Sequence, residues 1–278
     1  MSITIPQITL NDGQPFAEVG LGTYNLKGEA GIAAIGSALD SGYRLLDTAV
    51  NYGNEREVGE AVRRSSIDRD EIIVTSKIPG RHHGYDEAIA STRESLETLG
   101  LDRIDLHLIH WPNPSVGKYL DTYRALLALR EEGLVRSVGV SNFTEAMLTE
   151  TIEATGVAPA VNQVELHPYF PQGALRAFHA EHGIRTESWS PLARRGELFA
   201  EPVIGELAEA YGVTPTQLVV RWHVQLGSTP IPKSADPDRQ RENADVFGFE
   251  ISDADVERLS ALERGRLWDA DPNVHEEM

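Results

Sequence analysis

The sequence predicts an α/β fold, a (β/α)8 barrel of the TIM type with a β-hairpin ahead of it and a C-terminal tail over the pocket. Three observations carry that prediction. Eight short apolar runs alternate with longer segments of helical periodicity. The runs are nearly continuous in apolar residues, as strands buried on both faces of a parallel sheet must be. Polar residues with chemical potential close almost every run, and a barrel gathers its active site at the carboxyl ends of its strands. An open doubly wound sheet is the rival, but no Gly-x-Gly-x-x-Gly follows the first run, where Gly20-Leu21-Gly22-Thr23 lacks the third glycine.

In chain order, Asn11-Asp12-Gly13-Gln14 supplies the turn chemistry of a hairpin. The strand candidates are 19–22, 43–47, 72–76, 104–110, 135–141, 160–165, 184–188 and 229–232. Between them, apolar residues recur at helical spacing over 31–41, 54–64, 87–99, 119–132, 145–154, 173–181, 203–211 and 239–246. Asn54 followed by Glu57 reads as a helix cap with its reciprocal partner. A last helix begins at Ser252-Asp253-Ala254-Asp255, and the stretch from Asp269 to Met278 reads as a mobile flap or tail. No linker, low-complexity segment or further repeat interrupts the pattern, so residues 1–278 are expected to form one domain.

Composition narrows the function. With 43 acidic against 25 basic residues, the formal charge is −18, which repels nucleic-acid phosphates and anionic membranes. Zero cysteines exclude disulfides, thiolate metal sites and a cysteine nucleophile. The first residues lack the basic and apolar regions of a signal peptide, and no apolar run approaches the ~20 residues that cross a bilayer. A cytoplasmic protein acting on a small molecule is expected.

Four polar residues in the first 110 positions stand out: Asp47, Tyr52, Lys77 and His110. Each alone has an ordinary structural reading, as a strand terminus, a packing aromatic, a solvated lysine and a core histidine. Together, near successive strand ends, they make a proton-delivery site. Ser141 with Asn142, Gln163, Trp189 with Ser190, and Lys233 with Ser234 keep the same phase further along. Nine histidines invite a metal reading, but His107 and His110 differ by an odd number and point to opposite faces of a strand. His82 and His83 diverge likewise, and His179 and His182 lack a third ligand. Ser141 and Ser190 are not in nucleophile-elbow sequences. A glycosidase pair of Asp47 and Glu165 would leave Tyr52, Lys77 and His110 without purpose.

The segments Asp47-Thr48-Ala49-Val50-Asn51-Tyr52-Gly53-Asn54-Glu55, Ser76-Lys77, His110-Trp111-Pro112, Val138-Gly139-Val140-Ser141-Asn142-Phe143, Asn162-Gln163-Val164-Glu165-Leu166-His167-Pro168, Ser188-Trp189-Ser190-Pro191-Leu192 and Ile231-Pro232-Lys233-Ser234 are individually weak signals. In this order they are specific. The chain resembles the aldo-keto reductases, most closely their bacterial branch containing 2,5-diketo-gluconate reductases. That resemblance implies a (β/α)8 barrel that transfers hydride from a reduced nicotinamide to an aldehyde or ketone. Tyr52 would protonate the carbonyl oxygen, Lys77 would stabilise the phenolate and so lower its pKa from ~10, Asp47 would hold the lysine, and His110 would orient the oxygen.

The resemblance further implies NADPH, with NADH as the alternative. Ser141, Asn142 and Gln163 would bind its carboxamide and Trp189 would stack on its ring. Gly22, Thr23, Tyr24, Asp47, Ser190, Pro191 and Leu192 would complete the cleft. Lys233 and Arg239 would take a 2′-phosphate, Glu242 and Asn243 the adenine, and Ser234 would join them in binding the cofactor. Asp236, pointed inward, would disfavour that phosphate. Tyr24, Tyr52, His110 and Trp111 would face the substrate, with Trp268 read as a tail anchor. Ile78-Pro79-Gly80 replaces the family's leucine-tryptophan after the lysine, which would widen the pocket there. Arg194 and Arg195 would either close over the pyrophosphate or be solvated. A monomer is expected on family grounds. Proteins of related fold also serve as channel subunits or lens proteins, but the intact four residues argue for catalysis.

Overall fold

The computed structural model describes residues 3–278. A hairpin of β1 (Gln7–Thr9) and β2 (Pro15–Ala17) precedes the barrel, turning through the Asn11-Asp12-Gly13 segment. The chain then runs β3 (Leu21–Gly22), α1 (Gly28–Ser41), β4 (Leu45–Asp47), α2 (Glu55–Arg64), β5 (Ile73–Ile78), α3 (Tyr85–Leu99) and β6 (Ile104–Ile109). It continues through α4 (Tyr119–Glu131), β7 (Val135–Ser141), α5 (Glu145–Thr155), β8 (Val161–Glu165), α6 (Gly173–Glu181) and β9 (Arg185–Trp189). After the short α7 (Arg195–Leu198) come α8 (Pro202–Tyr211), α9 (Pro215–Gln225), β10 (Ser228–Pro230), α10 (Pro237–Ala244) and α11 (Asp253–Ser260).

Strands β3 to β10 form one parallel sheet in sequence order. The sheet closes on itself: Gly20 N–H donates to Pro230 O at 3.0 Å and Gly22 pairs with Lys233. A tight approach makes that closure possible, because a Cβ on Gly22 would lie 2.7 Å from Ile231 O. The barrel prediction therefore holds and the open-sheet rival does not. One hydrophobic core fills the barrel interior and extends between the strands and the helices around them, with Leu45, Val74, Leu106 and Val161 among its fully buried members.

Two local readings need correction. Helix α9 is absent from the predicted set, although its start is marked in the sequence: Thr214 and Gln217 form a capping box and Pro215 occupies the first turn. Asn54 sits at the start of α2 but makes no side-chain cap bond. It is fully buried, accepts from Thr48 Oγ1 at 2.8 Å and donates to Thr23 O and Leu26 O at 2.8 and 3.1 Å. Its expected partner Glu57 accepts from Gly28 N–H at 2.9 Å instead. Tertiary demand has taken over a cap signature, and the result ties the loop after β3 to the loop that carries Tyr52.

Candidate active site

The carboxyl ends of β3, β4, β6, β7, β8, β9 and β10 surround a cavity of about 340 Å³. Asp47 closes β4 and Lys77 lies in β5, one residue before its end. Tyr52 comes from a 3-10 turn over Val50–Tyr52 and His110 follows β6 directly. Lys77 is completely buried, and its Nζ donates to Asp47 Oδ1 and Oδ2 at 2.6 and 2.7 Å and to Thr48 O at 2.9 Å. Tyr52 Oη is 3.5 Å from the same nitrogen. The Tyr52 ring makes T-shaped contacts with the rings of Tyr24 and His110, with centroids 5.2 and 5.8 Å away.

Burial disfavours the Lys77 ammonium, but the charge of Asp47 and its hydrogen bonds outweigh it and hold the lysine above its ordinary value. Tyr52 departs from expectation. Burial raises the phenol more than Lys77 lowers it, and the Asp47 charge adds to the rise, so the free site keeps the proton on Tyr52. The Asp47 charge offsets only part of the lowering by Lys77, and burial decides the direction.

Beneath the four residues lies a fifth titratable group that sequence reading missed. Gln163 Nε2 donates both to Asp47 Oδ2 at 2.8 Å and to Glu187 Oε2 at 2.7 Å. Glu187 is fully buried in β9, and burial, with the Asp47 charge next, pushes its carboxyl up to about 8. A Glu two residues before Trp189 is one inward strand position below the pocket, the alternation signal that would have found it. Both donors of Gln163 are thus spent inside the barrel, and its carbonyl oxygen is the atom left for a ligand.

The expected cofactor residues divide into two groups. Gly22, Tyr24, Asp47, Ser141, Asn142, Gln163, Trp189, Ser190, Pro191 and Lys233 line the cavity together with Tyr52, His110 and Trp111. Ser141 Oγ donates to Gln163 O at 2.8 Å, and Trp189 Nε1 donates to Asn142 Oδ1 at 2.8 Å. Asn142 and Ser190 both adopt left-handed backbone, with φ of 63° and 49°, a strain commonly found where a pocket dictates side-chain direction. Thr23, Leu192, Ser234, Arg239, Glu242 and Asn243 do not line it. Thr23 Oγ1 instead donates to Asp47 O at 2.8 Å, so it braces the end of β4.

Lys233 and Arg239 are exposed, and among the described residues neither has a carboxylate within ion-pair distance. Asp236 does not point at them as a competing anion. It caps α10, its Oδ1 accepting from Asp238 and Arg239 N–H at 2.9 and 3.2 Å. Arg194 and Arg195 are engaged elsewhere, Arg194 3.6 Å from Glu197 and Arg195 donating to Thr216 Oγ1 at 2.9 Å. Among the described residues no group of three or more His, Asp or Glu converges as metal ligands would, and no helix is long and apolar enough to cross a membrane.

The substrate side departs from the sequence expectation. Pro79 and Gly80 do not leave an opening, because the end of the chain fills it: Glu277 O accepts from Gly80 N–H at 3.0 Å and from Asn113 Nδ2 at 2.6 Å. The tail is packed against the barrel. Glu165 is its first anchor, accepting from Leu267 N–H at 2.7 Å with Arg266 at 3.5 Å. Trp268 follows, 5.6 Å from the Trp189 ring and 5.8 Å from His167, in keeping with its anchor reading.

A closed parallel barrel with a buried Lys-Asp pair under a tyrosine and a histidine defines a class of carbonyl-reducing enzymes, and comparison with known proteins agrees. Residues 18–264 match the model of the aldo/keto reductase family. Over 274 residues the sequence is 73% identical to 2,5-diketo-D-gluconic acid reductase B of Corynebacterium sp. (strain SHS752001), covering 99% of both chains. It is 43% identical to methylglyoxal reductase DkgA of Salmonella typhimurium, covering 96% of each. The crystal structure of a Gox0644 mutant in complex with NADPH superposes with a TM-score of 0.93 at 41% identity, covering 98% of this chain and 99% of that one. This chain belongs to the aldo/keto reductase family. It is an oxidoreductase that reduces an aldehyde or ketone to an alcohol.

Proposed function

We propose that the chain reduces small carbonyl compounds, α-dicarbonyls and keto-sugars among them, at the expense of NADPH, with Tyr52 as general acid. The observation that carries this reading is the buried Lys77–Asp47 pair 3.5 Å from a phenol that opens on the cavity. NADPH, when bound, supplies the hydride. Tyr52 then gives its proton to the carbonyl oxygen on which negative charge develops. Lys77 offsets the charge left on the phenol, Asp47 and Thr48 O hold the lysine in place, and His110, beside the Tyr52 ring, orients the oxygen. Residues 1–278 act as one domain in this reading.

The residues present fit the cofactor. Trp189 offers an aromatic face to the cavity, and Ser141, Asn142 and Gln163 converge beside it. Lys233 and Arg239, unpaired in a protein of net charge −18, are suited to a 2′-phosphate, and the capping role of Asp236 removes the expected objection. The names of the relatives support the two substrate classes, a diketo sugar acid and methylglyoxal.

The test is loss of NADPH absorbance with methylglyoxal, a diketo sugar acid and simple aldehydes. No turnover with any of them would overturn the proposal. Arg239→Ala should weaken NADPH binding by roughly 10- to 150-fold, the equivalent of about 1.5 to 3 kcal/mol for a hydrogen bond to a charged group. NADH binding should stay unchanged, and fluorescence titration of both cofactors checks it. Equal losses for the two would remove Arg239 from phosphate recognition.

A further inference from the structure

The last residues of the chain are built into the catalytic side of the barrel. The His275 ring lies 4.3 Å from Trp111, and Glu276 Oε1 accepts from Ser115 N–H at 2.8 Å. Asn51, one residue before Tyr52, donates to the Glu277 carboxylate and to Met278 O, the latter at 3.1 Å. These contacts place Glu277 Oε1 at 3.1 Å from Nδ1 of His110. Nδ1 is shut off from solvent, and Glu277 does not line the cavity that His110 lines, so the carboxylate stands behind the imidazole.

The seat depends on one missing side chain. A Cβ on Gly80 would lie 2.4 Å from Glu277 O and 2.0 Å from Asn113 Nδ2, too close for either to remain. The glycine at this position and the glutamate 197 positions later belong to one device. We infer that Glu277 is a positioning residue for carbonyl reduction, its carboxylate holding His110 through Nδ1 so that Nε2 is directed at the carbonyl oxygen.

The physical reason lies in the two ring nitrogens, where the partner of one decides the proton of the other. A carboxylate only accepts, so a hydrogen bond between Glu277 and this ring must take its proton from Nδ1. The ring can then also donate from Nε2 only as an imidazolium, and Glu277 supplies the balancing charge. Lys77 does not compete for it, being already paired with Asp47. The other charged or titratable groups facing the pair are Tyr52, Arg81 through Asn51, His83 and Glu276. In the free enzyme the contact is not aligned as a linear hydrogen bond, and such bonds commonly straighten when substrate binds.

The inference rests on the carbonyl-reductase reading, and its test separates the two. Glu277→Ala should lower kcat for methylglyoxal by roughly 10- to 100-fold, up to the scale for misplacing a group that orients the substrate. The NADPH dissociation constant should be unchanged. Gly80→Ala, which evicts the tail while keeping its carboxylate, should reproduce the deficit. In ¹⁵N-histidine spectra at pH 7, His110, assigned with a His110→Gln control, should show a protonated Nδ1 in the wild type and lose it in Glu277→Ala. A kcat within about twofold of wild type in Glu277→Ala would overturn the inference. So would an unchanged His110 nitrogen signature. If the wild type itself reduced no carbonyl, the functional reading would fail, and the spectra would still decide the role of Glu277.

Discussion

Tyr52→Phe should lose turnover by ~10²- to 10⁴-fold, the usual range for a positioned general acid, while still binding NADPH and folding normally. The substitution removes one oxygen and keeps the ring that packs against Tyr24 and His110. Lys77 retains both Asp47 oxygens and Thr48 O, so no buried charge is stranded. That separates Tyr52 from Lys77 itself, whose removal would leave Asp47 buried without its cation. The direction of the tyrosine shift sets the pH dependence. A general acid works in its protonated form, and burial holds this phenol above the ordinary value of 10.0. Reduction should therefore persist through neutral pH and up to that ordinary value without an alkaline limb from Tyr52. Single-turnover NADPH oxidation across pH, with dissociation constants from fluorescence, checks both parts. Near-normal turnover in Tyr52→Phe would remove Tyr52 from the mechanism.

The parts of the site readable in the sequence are those whose signal is local. Asp47, Lys77 and His110 interrupt or follow apolar strands, and a strand end in a barrel points to one place. Tyr52, which no strand carries, stood out only beside those three, and the ordered segments supplied the roles of Tyr52 and of the strand-end positions from Ser141 to Lys233. What escaped is long-range or ambiguous. Nothing near Glu277 in sequence suggests His110, because their contact joins residues 167 positions apart. Gly80 read as an opening because a missing side chain does not say what fills its space. Asn54 and Glu57 had the spacing of a cap, yet a buried amide found three partners in the loops after β3 and β4, which a cap does not offer. Helix α9 escaped for the opposite reason. Its capping box, Thr214 to Gln217, is a local signal that was present and was not read.

Acid should unfold the protein earlier and more steeply than its carboxylates alone would predict. Four histidines are buried as neutral rings: burial lowers His83 and His107 to about 4 and His179 and His223 to about 3. Each is free to titrate at the ordinary 6.5 in the unfolded chain. Their folded values are depressed, so the unfolded state takes up the protons and stability falls as pH drops below that value. At pH 5 each folded ring is still neutral, and the loss is set by the unfolded value, roughly 2 kcal/mol per histidine. Glu187 works the other way. Its folded carboxyl is raised to about 8, so its cost to stability is relieved as pH falls toward 4.5, regaining roughly 3 kcal/mol between pH 7 and pH 5. The net loss of about 5 kcal/mol is comparable with the whole stability of many domains. Urea midpoints measured from pH 7 to pH 5 should fall steeply. His107→Gln, whose side-chain amide can still donate to Ser76 O in place of Nδ1, should flatten that fall by one histidine's share, and Glu187→Gln should steepen it. A pH-independent midpoint over this range would mean that the buried rings are protonated in the folded state.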